Sequence, residues 1–101
     1  MKRIAIAAAA LAAFTLTASA ASMATSWFGC SNYKEYRAMI HLVAEKDRDA
    51  AMAYAISHDC KPFNAGDVVI ISDTGVMTSC IRKRGNPTCY WVDNDAINHR
   101  D

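Results

Sequence analysis

Between residues 33 and 58 the apolar positions recur with the period of an α-helix. Tyr36, Met39, Ile40 and Val43 fall at i, i+3, i+4 and i+7, which is one stripe of an amphipathic helix. Asn32, followed three residues later by Glu35, makes a capping-box-like start, and Lys34, Arg37 and Glu45 fall on the wet side. The pattern predicts a helix over about 33–45. Asp47 then caps a second helix over about 48–58, with Asp49 near the positive end of its dipole and an alanine-rich body from Ala50 to Ile56. A connection as short as Lys46-Asp47 implies an antiparallel helical hairpin. Lys61-Pro62 ends the helical region, because the residue before proline is pushed away from helical geometry.

After Pro62 the period shortens. Val68-Val69-Ile70-Ile71 is a β-branched run between the turns Gly66-Asp67 and Asp73-Thr74-Gly75. Two further strands are expected over about 76–82 and 88–92, with Asp93-Asn94-Asp95 ending the last and Ala96-Ile97 forming a single helical turn. No segment repeats. The pattern describes an α+β chain: an N-terminal helical hairpin followed by a small antiparallel β-sheet.

The first twenty residues change what counts as the protein. Lys2 and Arg3 precede an apolar run from Ile4 to about Leu16, and Ala18-Ser19-Ala20 is a small-residue cleavage signature. The run is shorter than the ~20 residues a bilayer-spanning helix needs. It reads as a signal peptide, residues 1–20, cleaved after Ala20, with Ala24 as the alternative site, leaving no membrane span. Residues 21–29 lack periodicity and read as a flexible lead-in, and 30–101 as a single small disulfide-stabilised domain. Removing Lys2 and Arg3 leaves nine basic residues against ten acidic, a formal charge of −1. Nothing in that balance favours nucleic acid or an acidic membrane, and export also argues against a nucleic-acid partner.

Composition then adds covalent staples. Cys30, Cys60, Cys80 and Cys89 all lie beyond the signal, and an even count in an exported chain reads as two disulfides. No C-x-x-C spacing exists and the three histidines are scattered, so no metal site is expected. Four cysteines permit three connectivities. Cys80 and Cys89 are equidistant from Arg84-Gly85, so a hairpin in that register sets them opposite each other. The preferred pairs are therefore Cys80–Cys89 and Cys30–Cys60, the latter tying the start of the first helix to the end of the second.

Arg82, Lys83 and Arg84 would project from the tip of the stapled hairpin, as an anion-binding surface or as a plain solvated turn. Alternation puts the rings of Tyr90 and Trp91 on opposite faces, one for packing and one available to a sugar or peptide. These five residues are the candidate binding surface. Trp27 carries no assignment. No serine, cysteine or carboxylate is placed to complete a catalytic set with His41, His58 or His99, so no enzyme activity and no cofactor are expected. Asp93-Asn94-Asp95 lacks the glycine and distal glutamate of a calcium loop. The expectation is a non-catalytic binding or envelope-associated domain, periplasmic or secreted, whose partner is a cell-envelope component or an exported protein. The alternative is a secreted inhibitor or immunity-type protein acting on a secreted enzyme through a rigid, low-entropy hairpin.

Residues 63–98 carry a resemblance. Gly66-Asp67 with the run 68–71, the glycine turn at Gly75, and Trp91-Val92 followed five residues later by Ile97 resemble the bacterial SH3-like (SH3b) pattern. The chain departs from it at Tyr90, where a glycine commonly precedes the tryptophan, and is short by about a strand. The resemblance implies a partial SH3-like barrel used for cell-wall or protein contacts. Residues 90–97, YWVDNDAI, are also similar to a segment of secreted membrane-associated c-type lysozyme inhibitors, whose β-barrel lacks the helical first half read here.

Overall fold

The computed structural model describes residues 19–98. Residues 1–18, which carry most of the expected signal peptide, and His99 lie outside the described residues. The order is β1 (Ser19–Met23), β2 (Trp27–Cys30), α1 (Tyr33–Ala44), α2 (Arg48–Ser57), β3 (Cys60–Phe63), β4 (Val68–Thr74), β5 (Thr78–Arg82), β6 (Tyr90–Asp93), a 3-10 turn (Asn94–Ala96) and β7 (Ile97–Asn98). The strands form one antiparallel sheet in the order β3-β2-β6-β5-β4-β1-β7.

This corrects the expected architecture. The chain is not an N-terminal helical hairpin followed by a small sheet or partial SH3-like barrel. Two strands precede the helices, and the hairpin is inserted between β2 and β3. The cause lies in residues 19–30, expected in part to be a lead-in. β1 reads Ser-Ala-Ala-Ser-Met, with no alternation to mark a strand, and is held by its neighbours: Ala21 pairs with Val69 and Met23 with Ile97. β2 reads Trp-Phe-Gly-Cys, with no polar position, because both its faces are covered. A side chain at Gly29 would meet a Val92 methyl at 2.8 Å and Tyr90 Cβ at 3.0 Å, so close packing requires glycine there. Pro62 sits in β3, an edge strand where a missing amide donor leaves no central ladder bond unmade.

The helices start at their caps. Asn32 Oδ1 accepts from the amides of Lys34 (2.8 Å) and Glu35 (3.3 Å), and Asp47 Oδ1 from that of Ala50 (3.1 Å). Between them Lys46 adopts a left-handed conformation, φ +62°, while its amide donates to Val43 O and that of Asp47 to Leu42 O.

The sheet curls around its main core. Met23 of β1 and Phe63 of β3 belong to one buried cluster with Val69, Ile81, Tyr90 and Val92. A flat sheet would hold β1 and β3 about 24 Å apart, five strand spacings. A second cluster, Cys30, Tyr36, Met39 and Ala55, lies under the helices, with Trp27, Phe28 and Trp91 packed against it. Alternation along β6 serves both: Tyr90 and Val92 enter the first, and Trp91 and Asp93 turn to the helices.

Two disulfides, Cys30–Cys60 and Cys80–Cys89, staple the chain. Cys30 and Cys60 are direct partners across β2 and β3. The register at the second bond corrects the expectation from symmetry. Cys80 faces Trp91 and Ile81 faces Tyr90, so the strands are offset by two residues and Cys89 lies just before β6. The intervening loop takes up the offset, and the Cα atoms stand 5.3 Å apart. Among the described residues no helix is long and apolar enough to cross a membrane.

Candidate functional site: an apolar cleft and a braced hairpin tip

The structure disperses the five residues singled out in the sequence. Arg82, half-buried at the end of β5, donates from its guanidinium to Asn86 O at 3.4 Å. Lys83 pairs with Asp67 at 3.6 Å and lies 5.5 Å from the centre of the Phe63 ring. Arg84 is exposed. Tyr90 is buried in the main core, with its hydroxyl 3.3 Å from Asp59 Oδ1. Trp91 packs edge-on against Tyr33 with ring centres 5.5 Å apart. The cations thus turn to different partners, and the two rings face opposite sides of the sheet.

What the fold assembles instead is a cleft between the helical hairpin and the β2–β3 ribbon, with a volume of about 660 Å³. Trp27, Phe28, Pro62 and Phe63 supply the ribbon wall. From α1 come Met39, Ile40 and Val43, and from α2 Ala51, Met52 and Ala55. The topology fixes its polarity. α1 leaves the Cys30 end of β2 and α2 returns to the Cys60 end of β3, so the disulfide stands beyond one end, where Cys30 clusters with Met39 and Ala55. Lys46, on the turn between the helices, and Arg48, the first residue of α2, line the opposite end together with Ser26 and Asn64. Met39, Ala51 and Ala55 are buried at the back of the cleft, whereas two apolar side chains of its helical wall are only partly covered: Val43 is 43% exposed and Met52 44%.

Trp27 is oriented from behind. Its indole N–H donates to Tyr36 Oη at 2.9 Å, and the Tyr36 hydroxyl donates to Asp93 Oδ1 at 2.7 Å. Burial, and then the bond to Asp93, hold the Tyr36 hydroxyl well above the usual phenol range, so it stays protonated and able to donate. This chain joins the cleft wall, α1 and β6. Sequence reasoning missed Trp27 because it lay in a stretch without periodicity. It missed the cleft because an amphipathic stripe such as that of α1 does not say which of its residues are covered.

A second feature lies at the β4–β5 turn. Val76 is 97% exposed and Met77 78%, an apolar pair where turns ordinarily carry polar residues. The turn is nonetheless tightly held. The Asn94 side-chain amide donates to Gly75 O (3.1 Å) and Val76 O (3.0 Å), and its backbone amide to Met77 O (2.9 Å). Asn94 Oδ1 in turn accepts from the hydroxyl of buried Ser79 at 2.6 Å. At Gly75 a Cβ would collide with Thr78 O, so only glycine fits this turn.

Among the described residues, the histidines are not gathered in this way. Ser57 Oγ lies 3.1 Å from His58 Nδ1, but both also reach Tyr54 O at the end of α2, and the imidazole stacks on the Tyr54 ring with centres 3.7 Å apart. Among the described residues no three histidine, cysteine or acidic side chains converge as metal ligands would. The two disulfides fit a protein of an oxidising compartment. Comparison with protein-family models, with curated proteins and with solved structures found no match to this chain.

Proposed function

We propose that the protein is an exported, non-catalytic binding domain, periplasmic or secreted, which holds an apolar ligand from the cell envelope in the cleft between the helical hairpin and the β2–β3 ribbon. The observation that carries this reading is the cleft itself. Its size lies within the range of small-molecule sites, and its walls are apolar with polar groups confined to one end. The signal-like N-terminus and the paired cysteines support export. The test is a titration of the oxidised protein with the neutral apolar dye N-phenylnaphthylamine. Dye emission should rise to saturation while Trp27 emission falls. Val43→Glu, a change at an exposed position of the cleft wall, should abolish uptake while leaving the circular dichroism unchanged. Failure of the native protein to take up the dye would remove the cleft from the reading.

The alternative, a secreted inhibitor or immunity-type protein, is favoured by the Val76–Met77 tip. Apolar side chains on a pre-braced turn lose little entropy when they enter a partner's pocket. The tip is a better candidate for such contact than Arg82, Lys83 and Arg84. Under this reading a single secreted enzyme co-purifies in equal amount, and Val76→Asp/Met77→Asp abolishes the complex. A complex that survives those substitutions but is lost in Arg82→Ala/Lys83→Ala/Arg84→Ala would return the contact to the basic loop.

A further inference from the structure

We infer that the cleft takes a single-chain anionic amphiphile of the long-chain carboxylate class, with its tail towards the Cys30–Cys60 end and its head group at Lys46 and Arg48. This rests on the cleft being the ligand seat and goes beyond it by naming the ligand chemistry and orientation.

The polarity of the cleft is the first ground. Its lining includes two cations, Lys46 and Arg48, and no carboxylate. Neither cation has an ion-pair partner among the described residues, where the salt bridges are His41–Glu45 and Lys83–Asp67. Both stand at the end of the cleft away from the disulfide, so charge lies at the mouth and apolar surface behind it. Glu45, Asp47 and Asp49 lie at or beside the turn but stand outside the lining, and Asp47 is engaged in capping α2, so within the cleft a cationic ligand would meet only cations. A sugar would find polar partners only at the mouth. An alkyl chain meets side chains suited to it, since Met39 and Met52 are unbranched and adapt to an irregular apolar guest.

The backbone at Lys46 is an independent ground. Its φ of +62° places it in the left-handed region at the end of α1, where glycine or asparagine is the ordinary choice. Lysine here contradicts local preference at the mouth of the cleft, and such contradictions concentrate at functional positions. A lysine at a backbone position that favours glycine points to a use for its ammonium, and contact with an anionic head group is one.

The test uses the oxidised protein with palmitate, hexadecanol and a dibrominated stearate, read by tryptophan emission. The brominated acid should quench Trp27, which lines the cleft, and the quenching should vanish in Trp27→Phe. Palmitate should bind about tenfold more tightly than hexadecanol, the contribution of about one charge-assisted contact, and the difference should shrink at high salt. Lys46→Gly should weaken palmitate binding several-fold while raising the melting temperature, an opposite movement that misfolding cannot produce. Arg48→Gln should also weaken palmitate and leave hexadecanol unchanged. Equal affinity for acid and alcohol, or unchanged palmitate affinity in both variants, would overturn the carboxylate assignment and leave the cleft reading standing. Binding of neither ligand, or self-association that buries Trp27, would overturn both.

Discussion

Tyr36 ties three elements together behind the cleft wall. It is buried, accepts from Trp27 and donates to Asp93, so it couples α1 to β2 and β6 at once. Tyr36→Phe keeps the packing but leaves the indole N–H and a carboxylate oxygen without their partner. The expected cost is about 1–3 kcal/mol of unfolding free energy, measured by urea titration at neutral pH. The titration of this hydroxyl adds a second signature. Its folded pKa is raised by burial and by Asp93, above the value of about 10 expected in the unfolded chain. The folded state therefore keeps its proton where the unfolded state loses it. The associated stability is present below about pH 10 and declines as pH rises further. The alkaline decline should be steeper in the native protein than in Tyr36→Phe. Parallel pH profiles would show that another group governs alkaline unfolding.

At the scale of elements, the helical hairpin behaves as one unit attached at one end by Cys30–Cys60. Under the chain-entropy account this longer loop is worth about 3–4 kcal/mol and the Cys80–Cys89 loop about 2–3 kcal/mol. Paired replacement by serine should therefore separate two effects. Cys80→Ser/Cys89→Ser should lower stability by about 2–3 kcal/mol while dye uptake in the cleft persists. Cys30→Ser/Cys60→Ser should lower it further and abolish uptake, because the hairpin is no longer tied at that end of the cleft. Equal uptake in both would show that packing of Tyr36, Met39 and Ala55 holds the hairpin without the covalent link.

The same scale shows what the sequence made legible. Both helices were readable because Asn32 and Asp47 cap them and because Tyr36 and Met39 fall on a buried stripe. An even cysteine count announced disulfides. β1 and β2 were illegible for physical reasons. Small residues in β1 carry no periodic signal, and a strand covered on both faces, such as Trp27–Cys30, shows no alternation. The cleft was hidden for a related reason: Val43 and Met52 obey the helical stripe whether or not anything covers them. The brace at Asn94 was hidden too, since Asp93-Asn94-Asp95 reads as a strand terminator until the fold brings it beside Gly75.

At the scale of the whole molecule, the sheet places a condition on where the chain can be cut. β1 lies between β4 and β7, and among the described residues β7 pairs with no strand but β1. Cleavage after Ala20 leaves Ala21–Met23, which retains the pairs Ala21–Val69 and Ser22–Val68 and keeps Met23, 2% exposed, in the main core. Cleavage after Ala24 removes the whole strand. It also strips the core of Met23, worth about 1.5–3 kcal/mol in burial alone, and leaves β7 without a neighbour. That loss is a large fraction of what holds so small a domain together. Under the proposed export, the mature chain should therefore begin at Ala21, as read by its intact mass, and a chain begun at Thr25 should unfold at a markedly lower urea concentration. A native exported chain beginning at Thr25 with undiminished stability would mean that β1 plays no part in the mature sheet.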